Sequence, residues 1–198
     1  MSARAGAIAL PPDRWELPAR GPVGMACLIL GEGAIFAIFV VAYLFYVGKS
    51  ATGPQPNDVL EFPLFLSICL FASSATITLA VKALRRGSVG AFRAWWGATA
   101  ALAAVFLAGT ALEWKRLIVG KGLTIRTNLF GTTYYSLVGL HAFHVVVGLS
   151  FLLLVLVLAI AGKVLREHAP RASVLALYWH FVDVVWAVVL LVVYVIGR

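Results

Sequence analysis

The sequence predicts an all-α integral membrane protein, a bundle of five transmembrane helices, and three observations predict it. Of 198 residues, 62% are hydrophobic and 12% charged, whereas soluble domains carry about 25% charged residues; mean hydropathy is +0.98. Five mostly apolar runs, each near the length needed to cross a bilayer, occupy 25–47, 60–84, 95–118, 133–161 and 174–196. Between them sit helix breakers and most of the charges: Gly53-Pro54-Gln55-Pro56, Arg85-Arg86-Gly87, Lys121-Gly122 and the surroundings of Pro170. Lipid offers unpaired backbone groups no partner, so spans of this kind are helices; a barrel would need shorter segments alternating in polarity.

Residues 1–24 read as a tail leading into the first span. Their apolar stretch is stopped by Pro11-Pro12, with Asp13 and Glu16 following, too short and broken for a signal peptide. Residues 25–198 form one transmembrane domain, with no soluble module, low-complexity tract or convincing repeat. The first span carries Glu32 between Gly31 and Gly33, and the second carries Cys69, which like Cys27 lacks metal or redox spacing. The third runs from Trp95-Trp96 to Glu113-Trp114-Lys115-Arg116, the fourth carries Tyr134-Tyr135, His141 and His144, and the fifth carries Tyr178-Trp179-His180, Asp183 and Trp186. Aromatic residues near span ends (Trp95, Trp96, Trp114, Tyr134, Tyr135, Tyr178, Trp179) fit an interfacial belt. Trp186 lies deeper and is expected to pack between helices.

Net charge is +8, yet the Lys and Arg residues lie in the breaks between apolar runs, where they meet headgroups rather than nucleic acid. Ten of them (Arg4, Arg14, Arg20; Lys82, Arg85, Arg86, Arg93; Lys163, Arg166, Arg171) fall on the side of the N-terminus. Six (Lys49; Lys115, Arg116, Lys121, Arg126; Arg198) fall on the other. The bias places the N-terminus in the cytoplasm and the C-terminus outside.

Ionisable side chains inside a membrane are costly and so invite a functional question. Glu113, beside Trp114, Lys115 and Arg116, reads as an interfacial carboxylate paired with its basic neighbours. Glu32 lies deeper; the flanking glycines let a helix or lipid approach, and a protonated carboxyl both donates and accepts hydrogen bonds. Tying helices together, relaying protons and binding a lipid headgroup all remain open for it. His141 and His144 are three apart, and His180 and Asp183 repeat that spacing, so each pair shares a helix face. Asp183 and Glu32 start from the same side at similar depth, as members of one polar layer. Three histidines and two carboxylates are enough ligands for a metal, but no Glu-x-x-His pair or Cys cluster supports one, so no metal is assigned and interhelical hydrogen bonding is expected.

Segment 130–149, from Phe130-Gly131 through His141-Ala142-Phe143-His144 to Gly148-Leu149, resembles the penultimate helix of haem-copper oxidase subunit III, and Tyr178-Trp179-His180-Phe181-Val182-Asp183-Val184-Val185-Trp186 resembles the last. Gly24-Met25, Glu32, Phe36 and Phe39 look like the helix carrying that family's membrane glutamate, and Glu113-Trp114 like an acidic-aromatic pair ending a middle helix. The resemblance implies a subunit III of a bacterial cytochrome c oxidase, a proton-pumping, oxygen-reducing enzyme. Such a subunit has no catalytic residue and no redox centre of its own. It packs on subunit I, in a complex with subunit II, and haem and copper belong to those partners. It also implies that Glu32 is the carbodiimide-reactive glutamate supporting proton uptake, with His141, His144, His180 and Asp183 as polar support, and that phospholipid binds between helices. Larger members have seven helices; the two N-terminal ones have no counterpart here, which puts the full lipid cleft in doubt, and Gly31 stands where many members have Ser. The same fold would serve a quinol oxidase or nitric oxide reductase complex. A small proton-coupled transporter is the reading of another class, and no inverted repeat or pair of broken helices marks its midplane site.

Overall fold

The computed structural model describes residues 20–197. Arg4, Pro11-Pro12, Asp13, Arg14, Glu16 and Arg198 lie outside the described residues. Among the described residues six α-helices follow one another: α1 (Arg20–Tyr46), α2 (Pro56–Val59, a single turn), α3 (Leu64–Arg85), α4 (Val89–Lys115), α5 (Leu129–Ile160) and α6 (Ala169–Leu190). Helix α4 continues into a π-helical turn at Arg116–Gly120 and α6 into another at Leu191–Ile196. Five helical stretches are long and apolar enough to cross a membrane, those built on α1, α3, α4, α5 and α6, and no strand occurs among the described residues.

Local chemistry moves the helix ends away from the limits of the apolar runs. Pro63 sits at the N-cap of α3, and the residue before a proline is pushed out of helical geometry, so α3 starts after it and not at Leu60. Pro170, taken in the sequence as a breaker, stands in the first turn of α6, where its missing N–H would have had no helical partner in any case. Asn128 opens α5 by accepting from Gly131 N at 2.8 Å. Its amide also donates to Pro54 O at 3.0 Å and Thr52 O at 3.2 Å, tying the loop before α5 to the loop after α1. A Cβ on Gly131 would lie 2.4 Å from Thr124 O, so this crossing has no space for a side chain. At the opposite end of the bundle Arg85 donates to Ser173 Oγ at 2.9 Å. Alternate loops therefore meet on each side, as antiparallel spans require.

Helix α6 is central and packs against α1, α3 and α5; α3 pairs with α4, α4 with α5, and α1 with α5 and α6. The interfaces close on tryptophans whose indoles donate into neighbouring helices: Trp96 to Leu152 O at 2.9 Å, Trp179 to Ser73 Oγ at 2.8 Å, Trp186 to Ser67 Oγ at 3.1 Å. The belt expected from the sequence is corrected accordingly. Trp96, Tyr134, Tyr178 and Trp179 are buried and only Trp95 among the tryptophans of that set is largely exposed, because their polar atoms find partners between helices and need no headgroup. Trp186 packs between helices as anticipated.

Candidate functional site

Glu32 projects from α1, whose buried residues are Phe36 and Tyr43, so most of this helix faces outward. Among the described residues nothing lies within 4 Å of where a Cβ on Gly31 or Gly33 would stand; the backbone flanking Glu32 is open, not pressed against a helix. Glu32 Oε2 lies 3.1 Å from His144 Nε2, with side-chain exposures of 28% and 7%. The other nitrogen of His144, Nδ1, faces Leu140 O at 2.8 Å. A carbonyl only accepts, so Nδ1 carries a hydrogen. A hydrogen on Nε2 or on the carboxyl completes the Glu32–His144 bond. Tyr178 donates to His144 O at 3.2 Å, and the Phe36 ring lies 5.0 Å from the imidazole. The pair opens into a cavity of about 510 Å³ between α1, α5 and α6, walled by Leu28, Phe143 and Phe151, with Arg171 also lining it.

The remaining candidates do not gather around Glu32. Residues three apart on a helix stand about 60° apart around its axis, enough for α5 to turn His144 toward α1 and His141 into the core. His141 is fully buried, stacked on Trp186 at 5.0 Å and met edge-on by Phe106 at 5.8 Å. Among the described residues neither of its ring nitrogens has a hydrogen-bond partner. His180 and Asp183 face α3. Ser74 Oγ bonds the carboxylate of Asp183 and lies 2.9 Å from His180 Nδ1, while Thr78 Oγ1 stands 3.4 Å from His180 Nε2. The hydrogen bonds of Glu32 and Asp183 run to different helices, α5 and α3. Ser74 and Thr78 were missed; the signal for them is the polar run Ser73-Ser74-Ala75-Thr76-Ile77-Thr78 inside an otherwise apolar span.

Glu113 has a partner that its sequence neighbours did not suggest, while Arg116 still acts on it by charge. Arg116 reaches Glu61 at 2.7 Å, and Glu113 Oε1 accepts from Tyr194, whose hydroxyl lies 3.4 Å from that of Tyr134. Trp114 packs on Tyr135 at 5.4 Å. Among the described residues no three His, Cys, Asp or Glu side chains converge where they could hold a metal ion.

Five packed helices long and apolar enough to cross a bilayer define a multi-pass membrane protein. The family model described as "Cytochrome c oxidase subunit III" matches residues 22–198, and the chain belongs to that family. It is 33% identical over 189 residues to cytochrome c oxidase subunit 3 of Alkalihalophilus pseudofirmus, covering 94% of this chain and 92% of that protein. It is 37% identical over 163 residues to cytochrome c oxidase subunit 3 of Corynebacterium diphtheriae, covering 82% and 79%. It is also 31% identical over 176 residues to cytochrome bo(3) ubiquinol oxidase subunit 3 of Pseudomonas aeruginosa, covering 88% and 84%. The chain is therefore subunit III of a haem-copper oxidase and part of a multi-subunit oxidoreductase complex.

Proposed function

We propose that this chain is the accessory, non-redox subunit of a proton-pumping cytochrome c oxidase, packed on the subunit that holds haem and copper, with the copper-bearing subunit II in the same complex. The observation that carries the reading is the Glu32–His144 contact at 3.1 Å beside an open cavity. A carboxyl in contact with an imidazole and reached from outside the bundle is suited to passing protons toward a partner. The apolar walls of the same cavity, with Arg171 among its lining residues, suit a phospholipid whose phosphate meets the guanidinium. The excess of Lys and Arg on the α3–α4 and α5–α6 loops supports a cytoplasmic N-terminus.

Quinol as electron donor is the second reading, favoured by the similarity to the ubiquinol oxidase subunit of Pseudomonas aeruginosa. Affinity purification of the tagged chain in mild detergent, followed by a haem absorbance spectrum and mass spectrometry of the partners, tests both. Co-purifying haem with a partner bearing a copper-binding, cytochrome c docking domain is the expected result. Haem with a partner lacking that domain moves the assignment to the quinol type, and a haem-free, partner-free preparation contradicts the accessory role.

A further inference from the structure

A row of oxidisable aromatic side chains leads from the core of the bundle to the end of α4. The rings of Trp186 and Tyr194 are 6.5 Å apart between centroids. The Tyr194 hydroxyl stands 3.4 Å from that of Tyr134, whose ring lies 5.2 Å from Tyr135, and Tyr135 in turn packs on Trp114 at 5.4 Å. Trp186, Tyr194, Tyr134 and Tyr135 are buried, whereas Trp114 is half-buried beside Lys115 and Arg116. Indole and phenol rings release one electron far more readily than the aliphatic side chains and phenylalanines packed around them. A phenol does so at moderate potential only where its proton has an acceptor. Tyr194 has one, since its hydroxyl donates to Glu113 Oε1 at 3.4 Å. Tyr135 lacks one: its hydroxyl donates to Leu123 O at 2.8 Å, and a backbone carbonyl accepts a hydrogen bond without taking up the proton.

We propose that these side chains form a path that carries single oxidising equivalents from the bundle core to Trp114, with Glu113 as the proton acceptor of Tyr194. The oxidant is a peroxyl radical, the class of one-electron oxidant that oxygen chemistry leaves in a membrane. It takes one electron from Trp186 and becomes a peroxide anion, which water protonates; the indole remains as a radical cation bonded to Ser67. Tyr194 returns an electron to Trp186 while its phenolic proton passes to Glu113. The phenoxyl radical of Tyr194 then takes a hydrogen atom from the Tyr134 hydroxyl beside it. Trp114 reduces the Tyr134 phenoxyl by one electron through the Tyr135 ring, and the proton comes back from Glu113 by way of the Tyr194 hydroxyl. One electron has moved from Trp114 to the peroxide and every residue between is restored. A thiolate at the membrane surface re-reduces Trp114 and becomes a thiyl radical. The path uses none of the residues around Glu32 and no assigned electron donor, so it stands or falls independently of the proton reading.

The test uses the intact complex in detergent, with peroxyl radicals released inside the micelle by a lipophilic azo initiator in aerated buffer and no thiol present. Hydroxytryptophan and kynurenine are then mapped by peptide mass spectrometry. Wild type should accumulate them at Trp114 ahead of Trp95, although Trp95 is 41% exposed and Trp114 half-buried. Tyr134→Phe keeps the ring and leaves the Tyr194–Glu113 bond in place, but its side chain cannot be oxidised at that potential. In this variant modification of Trp114 should fall to the Trp95 level or below, and modification of Trp186 should rise. Glu113→Gln keeps an oxygen for the Tyr194 bond but cannot take up the proton, and it should give the same shift from Trp114 to Trp186. The conclusion therefore does not depend on one variant assembling. An unchanged ratio of Trp114 to Trp186 modification in both variants would overturn the path. Trp95 modified ahead of Trp114 in wild type would show direct attack on exposed rings, with the same consequence. A shift in Tyr134→Phe but not in Glu113→Gln would overturn the role given to Glu113.

Discussion

Replacing Gly148 by alanine should loosen the α5–α6 interface by an amount the structure allows to be estimated. A Cβ at this position would stand 2.7 and 2.9 Å from two carbons of the Trp179 ring and 3.3 Å from Tyr178. The ring has little freedom to retreat, since Trp179 is 1% exposed and its indole nitrogen is held by Ser73 Oγ at 2.8 Å. Overpacking of this kind costs about 1–3 kcal/mol, and small residues are what permit close helix approach in membranes. The assay is the temperature at which the chain leaves the detergent-solubilised oxidase, followed on native gels. Gly148→Ala should lower it, Trp179→Leu should lower it by opening a cavity, and the double variant should lose less than the two single losses added, since removing the ring removes the clash. An unchanged midpoint for Gly148→Ala, or strict additivity in the double variant, would refute the packing argument.

A hydrophobic carbodiimide should label Glu32, which opens to a cavity at membrane depth, before Glu61, whose carboxylate is 75% exposed and ion-paired with Arg116; peptide mass mapping that finds Glu61 modified first contradicts this. Reporter fusions at Pro54 and Gly122 should both report the outside, consistent with the hydrogen-bonded contact of those two loops through Asn128; a cytoplasmic signal at either overturns the orientation. Phe in place of Tyr194 should weaken retention of the chain, because half-buried Glu113 then loses the hydroxyl 3.4 Å away, and a hydrogen bond to a charged group contributes about 1.5–3 kcal/mol; retention equal to wild type in the same thermal assay contradicts that role.

The five spans were legible because a bilayer imposes a length and an apolar composition that few soluble segments meet. Their ends were less so. Pro170 has one meaning inside a helix and the opposite in its first turn, and only the hydrogen-bonding pattern around it distinguishes the two. The site was legible as a set of residue types but not as an arrangement. Spacing told that His141 and His144 lie near one another on α5, but not which neighbouring helix each would meet, and a difference of about 60° around the axis separates a partner of Glu32 from a ring stacked on Trp186. Tyr194 as a partner of Glu113 was not legible because charge adjacency in sequence pointed only to the basic neighbours, of which Arg116 also reaches Glu61. Ser74 and Thr78 were overlooked because hydroxyls in membrane helices commonly bond their own backbone, as Thr78 does to Ser74 O at 2.8 Å, and carry no charge to draw notice.

The central claim, that Glu32 and His144 serve the oxidase by handling a proton, is tested most directly by counting the turnovers that the assembled enzyme completes before it inactivates. Glu32→Gln keeps an amide able to bond His144 but has no proton to release, and Glu32→Ala removes the bond as well. Both variants should retain the wild-type haem spectrum, and both should complete fewer turnovers than wild type, with Gln giving no rescue over Ala. Full rescue by Gln would make the pair a packing element, and wild-type endurance in both variants would contradict any functional role for Glu32.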